Sequence, residues 1–209
     1  YMNSMFRASH TFNQNLNGWN IISVITIGGM FYDAFLFDQP LNNWNVSNLS
    51  SLISMFENCQ SFNQPLNNWD VSNVTNMTSM FSGADLFNQS LDDWDVSNVT
   101  NMTSMFRSAN SFNQPLNNWD VSNVSFMSLM FQSATQFNQP LDNWNVSNVN
   151  NMNNIFSGSN SFNQDLSDWN FNFSNSDSIN IVSFSGLDPS NYDLLLDRFV
   201  QLNLSNKNI

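Results

Sequence analysis

Residues 65–88 read PLNNWDVSNVTNMTSMFSGADLFN, with Gln89 following. In the first part, Trp69 and Val71 alternate with Asn68 and Asp70, the period-two pattern of a strand with one buried face. After Val71 the period changes. Val74, Met77, Met80, Phe81 and Ala84 recur at steps of three and four, which predicts one apolar stripe of a helix. Ser72 or Asn73 caps its start and Gly83 helps to end it. Asn, Thr and Ser are mediocre helix formers, so the helix is expected to be short and partly 3₁₀. Phe87 is expected to point inward, and the Asn88-Gln89 pair leads to the next unit.

The same unit recurs on both sides. Tryptophan occurs at Trp19, Trp44, Trp69, Trp94, Trp119, Trp144 and Trp169, always 25 residues apart, and nowhere else. A fixed period of that length predicts stacked units that bury their apolar faces against one another, with the indoles as a core ladder. The trio Leu66/Trp69/Val71 returns as Leu41/Trp44/Val46, Leu91/Trp94/Val96, Leu116/Trp119/Val121 and Leu141/Trp144/Val146. Its spacing is that of a leucine-rich-repeat strand. The expected fold is an α/β solenoid: leucine-rich-repeat-like 25-residue coils, each a short parallel β-strand plus a short α or 3₁₀ helix. Pro40, Pro65, Pro115 and Pro140 bias the preceding Gln to extended geometry at the approach to each strand. A Gln in every unit, from Gln14 to Gln164, predicts a ladder of side-chain amides satisfying loop backbone groups. About seven coils occupy 1–178. The pattern decays through 171–178, and a cap spans 179–209 with a helix near 189–201. Asp188 suits its N-cap, Pro189 its first turn, and Tyr192, Leu195, Leu196, Phe199 and Val200 share one face.

Charge narrows the partners. Four basic side chains (Arg7, Arg107, Arg198, Lys207) against a net charge of −12 are too few to track phosphates, so no nucleic-acid partner is expected. An anionic membrane surface repels the chain for the same reason. The most apolar stretch, residues 21–37, is broken by Ser23, Thr26 and Asp33 and keeps the repeat register, so no direct membrane insertion is expected. Cys59 is alone and occupies a position that other units fill with Ala or Ser, which predicts a small buried residue. Tyr1 opens the chain in mid-unit, as in a truncated piece of a longer product.

Catalysis needs convergent, unlike groups. One His, one Cys and one Glu offer no nucleophile-base set, phosphate loop or zinc spacing, so no catalytic residue, no bound metal and no enzyme are expected. His10 falls in a loop position that other units fill with polar residues. The candidate partner-binding residues flank each Trp on the outward face of the expected sheet: Asn68, Asp70, Asp92, Asp93, Asp95, Asn118, Asp120 and Asn143. Carboxylates gathered at mid-column repel, and a Lys/Arg-rich partner or a Ca²⁺ ion would relieve the repulsion. A solvated polar face that keeps the column soluble is the plainer alternative. Asn-x-Ser/Thr triplets at Asn73, Asn76, Asn98 and Asn101 follow from composition.

The strings MFRSANSFNQPLNNWDVSNV (105–124) and MFSGADLFNQSLDDWDVSNVTNMTSMF (80–106) resemble the 25-residue repeats of BspA-family leucine-rich repeat surface proteins and of mycoplasma-type surface lipoproteins. LDPSNYDLLLDRF (187–199) resembles the helical end of such proteins. The resemblance implies an extracellular or cell-surface role in adhesion or protein interaction, with a protein or glycan partner. The lipoproteins' anchor cysteine has no counterpart here. The alternative is a structural spacer, fibre or virion-surface component that self-associates end to end through its open coils.

Overall fold

In the computed structural model, which describes residues 1–172 and 180–204, apolar residues three apart close β-turns rather than turns of a helix. The Trp69 amide donates to the Leu66 carbonyl at 3.0 Å, Val74 to Val71 at 2.8 Å and Met80 to Met77 at 3.2 Å. Ala84 donates to Phe81, and Phe87 to Ala84, both at 3.1 Å. Both ends of each turn are buried, so a three-residue apolar step is here the signature of a turn whose ends face the core. Ser79 and Gly83, third in their turns, have φ of 55° and 68°. A type II turn requires positive φ at that place. Related positions along the chain hold Ser54, Asn58, Ser104, Ser108 and Ser133 at positive φ as well.

The amides between those closing the turns point along the molecule. Met77, Ser79, Phe81 and Gly83 donate to the carbonyls of Asn101, Thr103, Met105 and Arg107 at 2.7–2.9 Å. The offset of 24 residues recurs from the bond between Met2 and Thr26 to that between Ser133 and Ser157. Each 25-residue unit thus lies on the next through these amides, while others, such as Thr75 to Ser50 and Leu86 to Gln60, donate back to the preceding unit.

The expected α/β solenoid with leucine-rich-repeat-like coils is therefore incorrect. Among the described residues there is one helix, α1 (Pro189–Gln201), and no sheet. The segment 66–71 read as a strand holds one turn and the start of the next, and 74–84 read as a helix is a run of turns. Pairing between units is confined to single parallel bridges, Ser51 to Asn76, Asn76 to Asn101, Asn101 to Phe126 and Phe126 to Asn151. Left-handed residues follow within a few positions, and a strand cannot run through them. The helix fails for a geometric reason. A step of three falls about 60° short of a full turn of an α-helix, so an apolar series in threes drifts off any one face.

Two columns of phenylalanine run through the core. Phe31, Phe56, Phe81, Phe106, Phe131 and Phe156 are spaced 5.6–5.8 Å centroid to centroid and lie within 9° of parallel. Phe37, Phe62, Phe87, Phe112, Phe137 and Phe162 follow at 6.0–6.1 Å. Trp44 to Trp169 are at most 3 % exposed, whereas Trp19 in the first unit is 37 % exposed. Each buried indole N–H reaches the Leu carbonyl of the preceding unit, as Trp69 does to Leu41 at 3.0 Å and Trp94 to Leu66 at 3.1 Å. The polar end of every buried indole is thereby satisfied.

The recurring Asn-Gln pair forms a side-chain ladder. Asn63 Oδ1 accepts the Asn88 amide at 3.0 Å and Gln89 Nε2 at 2.9 Å, and Asn88 repeats this with Asn113 and Gln114. Gln therefore binds the ladder Asn or Asp of the preceding unit, whose oxygen also accepts a backbone amide, and Gln164 Nε2 reaches the Asn138 carbonyl at 3.2 Å as well. The ladder carries the chain into α1. Asp188, 25 residues after Asn163, donates its amide to Asn163 Oδ1 at 3.0 Å and caps the helix by accepting from the Asn191 amide at 2.9 Å. Asn191 Nδ2 takes the place of the ladder Gln at 2.9 Å. Leu195 and Phe199 are the buried residues of α1, while Tyr192 and Val200 of the expected stripe are exposed. The boundary expected at 178/179 and the pattern decay beyond residue 172 lie outside the described residues, as does the end of the expected cap after residue 204.

Candidate functional site

The residues flanking each Trp lie on two turns, not on the face of a sheet. Asp70 follows the turn ended by Trp69, and its Oδ1 accepts from the Ser72 amide at 3.1 Å and the Ser72 hydroxyl at 2.6 Å. Asp95 does the same with Ser97 at 3.0 and 2.6 Å, and Asp120 accepts the Ser122 amide at 3.0 Å. Asn45 and Asn145 make the same Asx turn in their units, so the position is built for an acceptor and does not require a charge. Hydrogen bonds from the Ser hydroxyl and then the Ser amide hold the carboxyls of Asp70, Asp95 and Asp120 below their ordinary range. The Asp95 charge opposes the shift at both Asp70 and Asp120, so the three carboxylates form one electrostatic row.

The second turn brings together most of the remaining candidates. Asn118 Nδ2 donates to both oxygens of Asp92, at 3.1 and 3.2 Å, across the boundary between units. The Asn143 amide donates to Asn117 Oδ1 at 3.0 Å, and Asn117 Nδ2 donates to Asp142 at 3.1 Å. Asn68 and Asp93 are exposed on the same turn. Between the two turns runs a furrow. One cleft of about 340 Å³ is lined by Asn42, Asn43, Trp44, Asn45, Val46, Ser47, Asn68 and Asp70. A second, of about 350 Å³, is lined by the equivalents one unit earlier, Asn17, Gly18, Trp19, Asn20, Ile21 and Ile22, together with Asn43 and Asn45. The two share Asn43 and Asn45, and so form successive steps of one furrow.

Other singled-out residues stand apart from this face. Cys59 is fully buried, with its thiol 2.9 Å from the Phe31 carbonyl, and burial pushes its pKa up, away from reactivity. His10 is exposed and stacks on Phe35 at 4.5 Å. Asn73 and Asn98 donate Nδ2 to the Ser47 and Ser72 carbonyls of the preceding units, and Asn76 Oδ1 accepts from Thr78. These Asn-x-Ser/Thr amides are structural. Among the described residues no three of His, Cys, Asp and Glu converge to hold a metal ion, and no helix is long and apolar enough to cross a membrane. Reading the sequence alone missed the Asn63/Asn88 column as the element joining the units. Its signal is the Asn, replaced once by Asp38, that stands before each Gln.

No curated protein matches the chain in sequence. A family model does match it, twice, over residues 1–93 and 84–186, and its description is "Mycoplasma protein of unknown function, DUF285". The paired matches run through all seven Trp-centred units, and the chain belongs to this Mycoplasma repeat family.

Proposed function

We propose that the chain is a non-enzymatic interaction module, displayed on a cell surface or secreted, which attaches to a protein or glycan partner through the Asn/Asp face beside the tryptophans. Kinship with the BspA-type surface repeats, resembled by residues 80–124, belongs to the same reading. The observation that carries it is the row of Asp70, Asp95 and Asp120. Each is exposed, tied at one oxygen by its own Asx turn and held ionised, in the same place on three successive units. Side chains fixed before binding lose little freedom on contact, which favours association. Changing Asp93, Asp95 and Asp120 together to Asn keeps the turns, as Asn45 and Asn145 do naturally. Attachment of the labelled protein to cells or matrix-coated surfaces should then fall about tenfold, the worth of roughly 1.4 kcal/mol, with the melting temperature unchanged. Undiminished attachment by a folded triple variant sinks the assignment of this face.

A second reading, a spacer or fibre element that self-associates through its ends, is favoured by the first unit. There Met5 and Trp19 are 46 and 37 % exposed, while their equivalents one unit on, Met30 and Trp44, are buried. Sedimentation velocity across a hundredfold concentration range tests it. A constant monomer rejects end-to-end assembly.

A further inference from the structure

Residues 180–191, which lead into α1 and begin it, copy the edge of a repeat unit. In the last unit the amides of Asn154, Phe156 and Gly158 donate to the carbonyls of Asn180, Ile181 and Ser183, the latter two at 3.0 and 2.9 Å. Asn163 Oδ1 accepts the Asp188 amide at 3.0 Å and Asn191 Nδ2 at 2.9 Å. Between full units these places belong to repeat residues. The Phe131 amide donates to Ile155 at 2.9 Å, and Asn138 Oδ1 accepts the Asn163 amide at 2.9 Å and Gln164 Nε2 at 2.7 Å. Residues 180–191 therefore occupy groups of the last unit that elsewhere hold a following unit.

The first unit carries the groups that this segment imitates. Asn13 stands seven periods of 25 residues before Asp188, with Gln14 beside it. Asn3, Met5 and Arg7 are exposed, and their carbonyls accept from no amide among the described residues. The Asn13 amide, Gln14 Nε2 and the Trp19 indole N–H likewise have no partner among the described residues. Every later Trp reaches a Leu carbonyl of the unit before. At the far end one such carbonyl is left over. Leu141 accepts both the Trp144 amide and the Trp169 indole, whereas Leu166 accepts the Trp169 amide alone. Phe6 and Phe12 open the two ring columns, stacked on Phe31 and Phe37 at 5.6 and 5.9 Å, and are only partly buried. Two first units set face to face would oppose carbonyl to carbonyl at Asn3, Met5 and Arg7, so the edge suits a last unit and not its own kind.

We propose that the last unit is a docking site for the first unit of a second copy, and that residues 180–191 of the chain itself compete for it. The inference rests on the end-joining reading above and names the surfaces that join. The contact pairs unlike surfaces, so it extends beyond a dimer. A net charge of −12 on each copy opposes the encounter, so joining is weak in the parent and strengthens with salt.

Sedimentation velocity in high salt tests it on the parent, on Asp188→Ala, and on Asp188→Ala combined with Gln14→Ala or Met5→Asp. Asp188→Ala takes the N-cap from the competing segment and should tighten association about fivefold, the worth of about 1 kcal/mol. Gln14 is exposed in the free chain and gains a partner only at the junction, so Gln14→Ala should weaken association about two- to tenfold with the melting temperature unmoved. Met5, exposed in the free chain, would take the place that Met30 holds buried, so Met5→Asp should abolish association. Association that ignores Gln14→Ala and Met5→Asp, or that halts at a dimer, overturns the proposal. Association in the parent that Asp188→Ala does not tighten overturns the competition and leaves end joining standing. A constant monomer for both parent and Asp188→Ala removes end joining itself, and the docking site with it.

Discussion

At the scale of single residues, backbone geometry and carboxylate chemistry each make a measurable demand. Gly83 sits at φ 68°, and a Cβ there would collide with Asn58 Oδ1, whose own Nδ2 binds Asp33 at 2.8 Å. Gly83→Ala should therefore lose about 1–2 kcal/mol to left-handed strain, with a further loss as Asn58 is driven off Asp33. Adding Asn58→Ser removes the clash but not the strain, so the double variant should lose less than the sum of the singles in urea melts. Strict additivity would show that the two side chains do not meet. The Asx-turn aspartates make a separate demand. Their Ser partners bond the charged form, so the folded carboxyls titrate below the unfolded value of about 4. Their contribution to stability is whole above that value and disappears as pH falls through the folded one. Replacing Asp70, Asp95 and Asp120 with Asn should shrink the loss of stability as pH falls below about 4 while leaving the neutral melt equal or slightly lowered, since Asn keeps each turn but gives up the charged acceptor. An acid loss as large as the parent's would mean that these turns do not hold the carboxylates.

At the scale of the repeating element, the Asn ladder carries much of the join between units. Asn88→Leu strands the Asn113 amide and Gln114 Nε2 and should lower stability by about 1–3 kcal/mol in urea titration. Asn88→Asp should be close to neutral, because Asp38 already accepts the Asn63 amide and Gln64 at 2.9 Å in the same place. Equal losses for the two variants would remove the ladder from the account. The 25-residue period, the inward Trp and the helix start at Asp188-Pro189 were legible in the sequence, because each depends on burial or on one local rule. The backbone between them was not. Val74, Met77 and Met80 are spaced for the ends of successive turns as well as for a helix, and apolar spacing alone does not separate the two. What does separate them is the residue just before each unit's Met-Phe pair and the one two after it. Ser54, Ser79 and Ser104 hold the first place, with Asn58, Gly83 and Ser108 in the second, types that tolerate left-handed geometry or local hydrogen bonding. The candidate residues other than Asp92 are exposed neighbours of Trp, but the Asx turns of Asp70, Asp95 and Asp120 depend on the Ser two places on, a residue whose sequence context suits a helix cap equally well.

At the scale of the whole molecule, a stack whose units touch only their neighbours loses protection from its ends inward. The two ends are unlike. Phe6 and Phe12 are only partly buried and Trp19 is exposed, while at the other end α1 covers the last ring with Phe199 and ties Arg198 Nε to the Trp169 carbonyl at 2.9 Å. The amides of Ser4, Phe6 and Ala8 should therefore exchange faster than those of Ser79, Phe81 and Gly83, although each set makes the same bonds to the next unit. The amides of Phe156 and Gly158, which bond to residues 181 and 183 just before the helix, should stay close to the central values. Asp188→Ala removes the N-cap of α1 and should weaken the helix by about 1 kcal/mol, exposing the C-terminal units to fraying while the N-terminal rates stay as they were. Hydrogen exchange by mass spectrometry on both proteins measures this directly. Uniform protection along the parent chain, or equal acceleration at both ends of the variant, would show that the units unfold as one body and that α1 does not guard the end it covers.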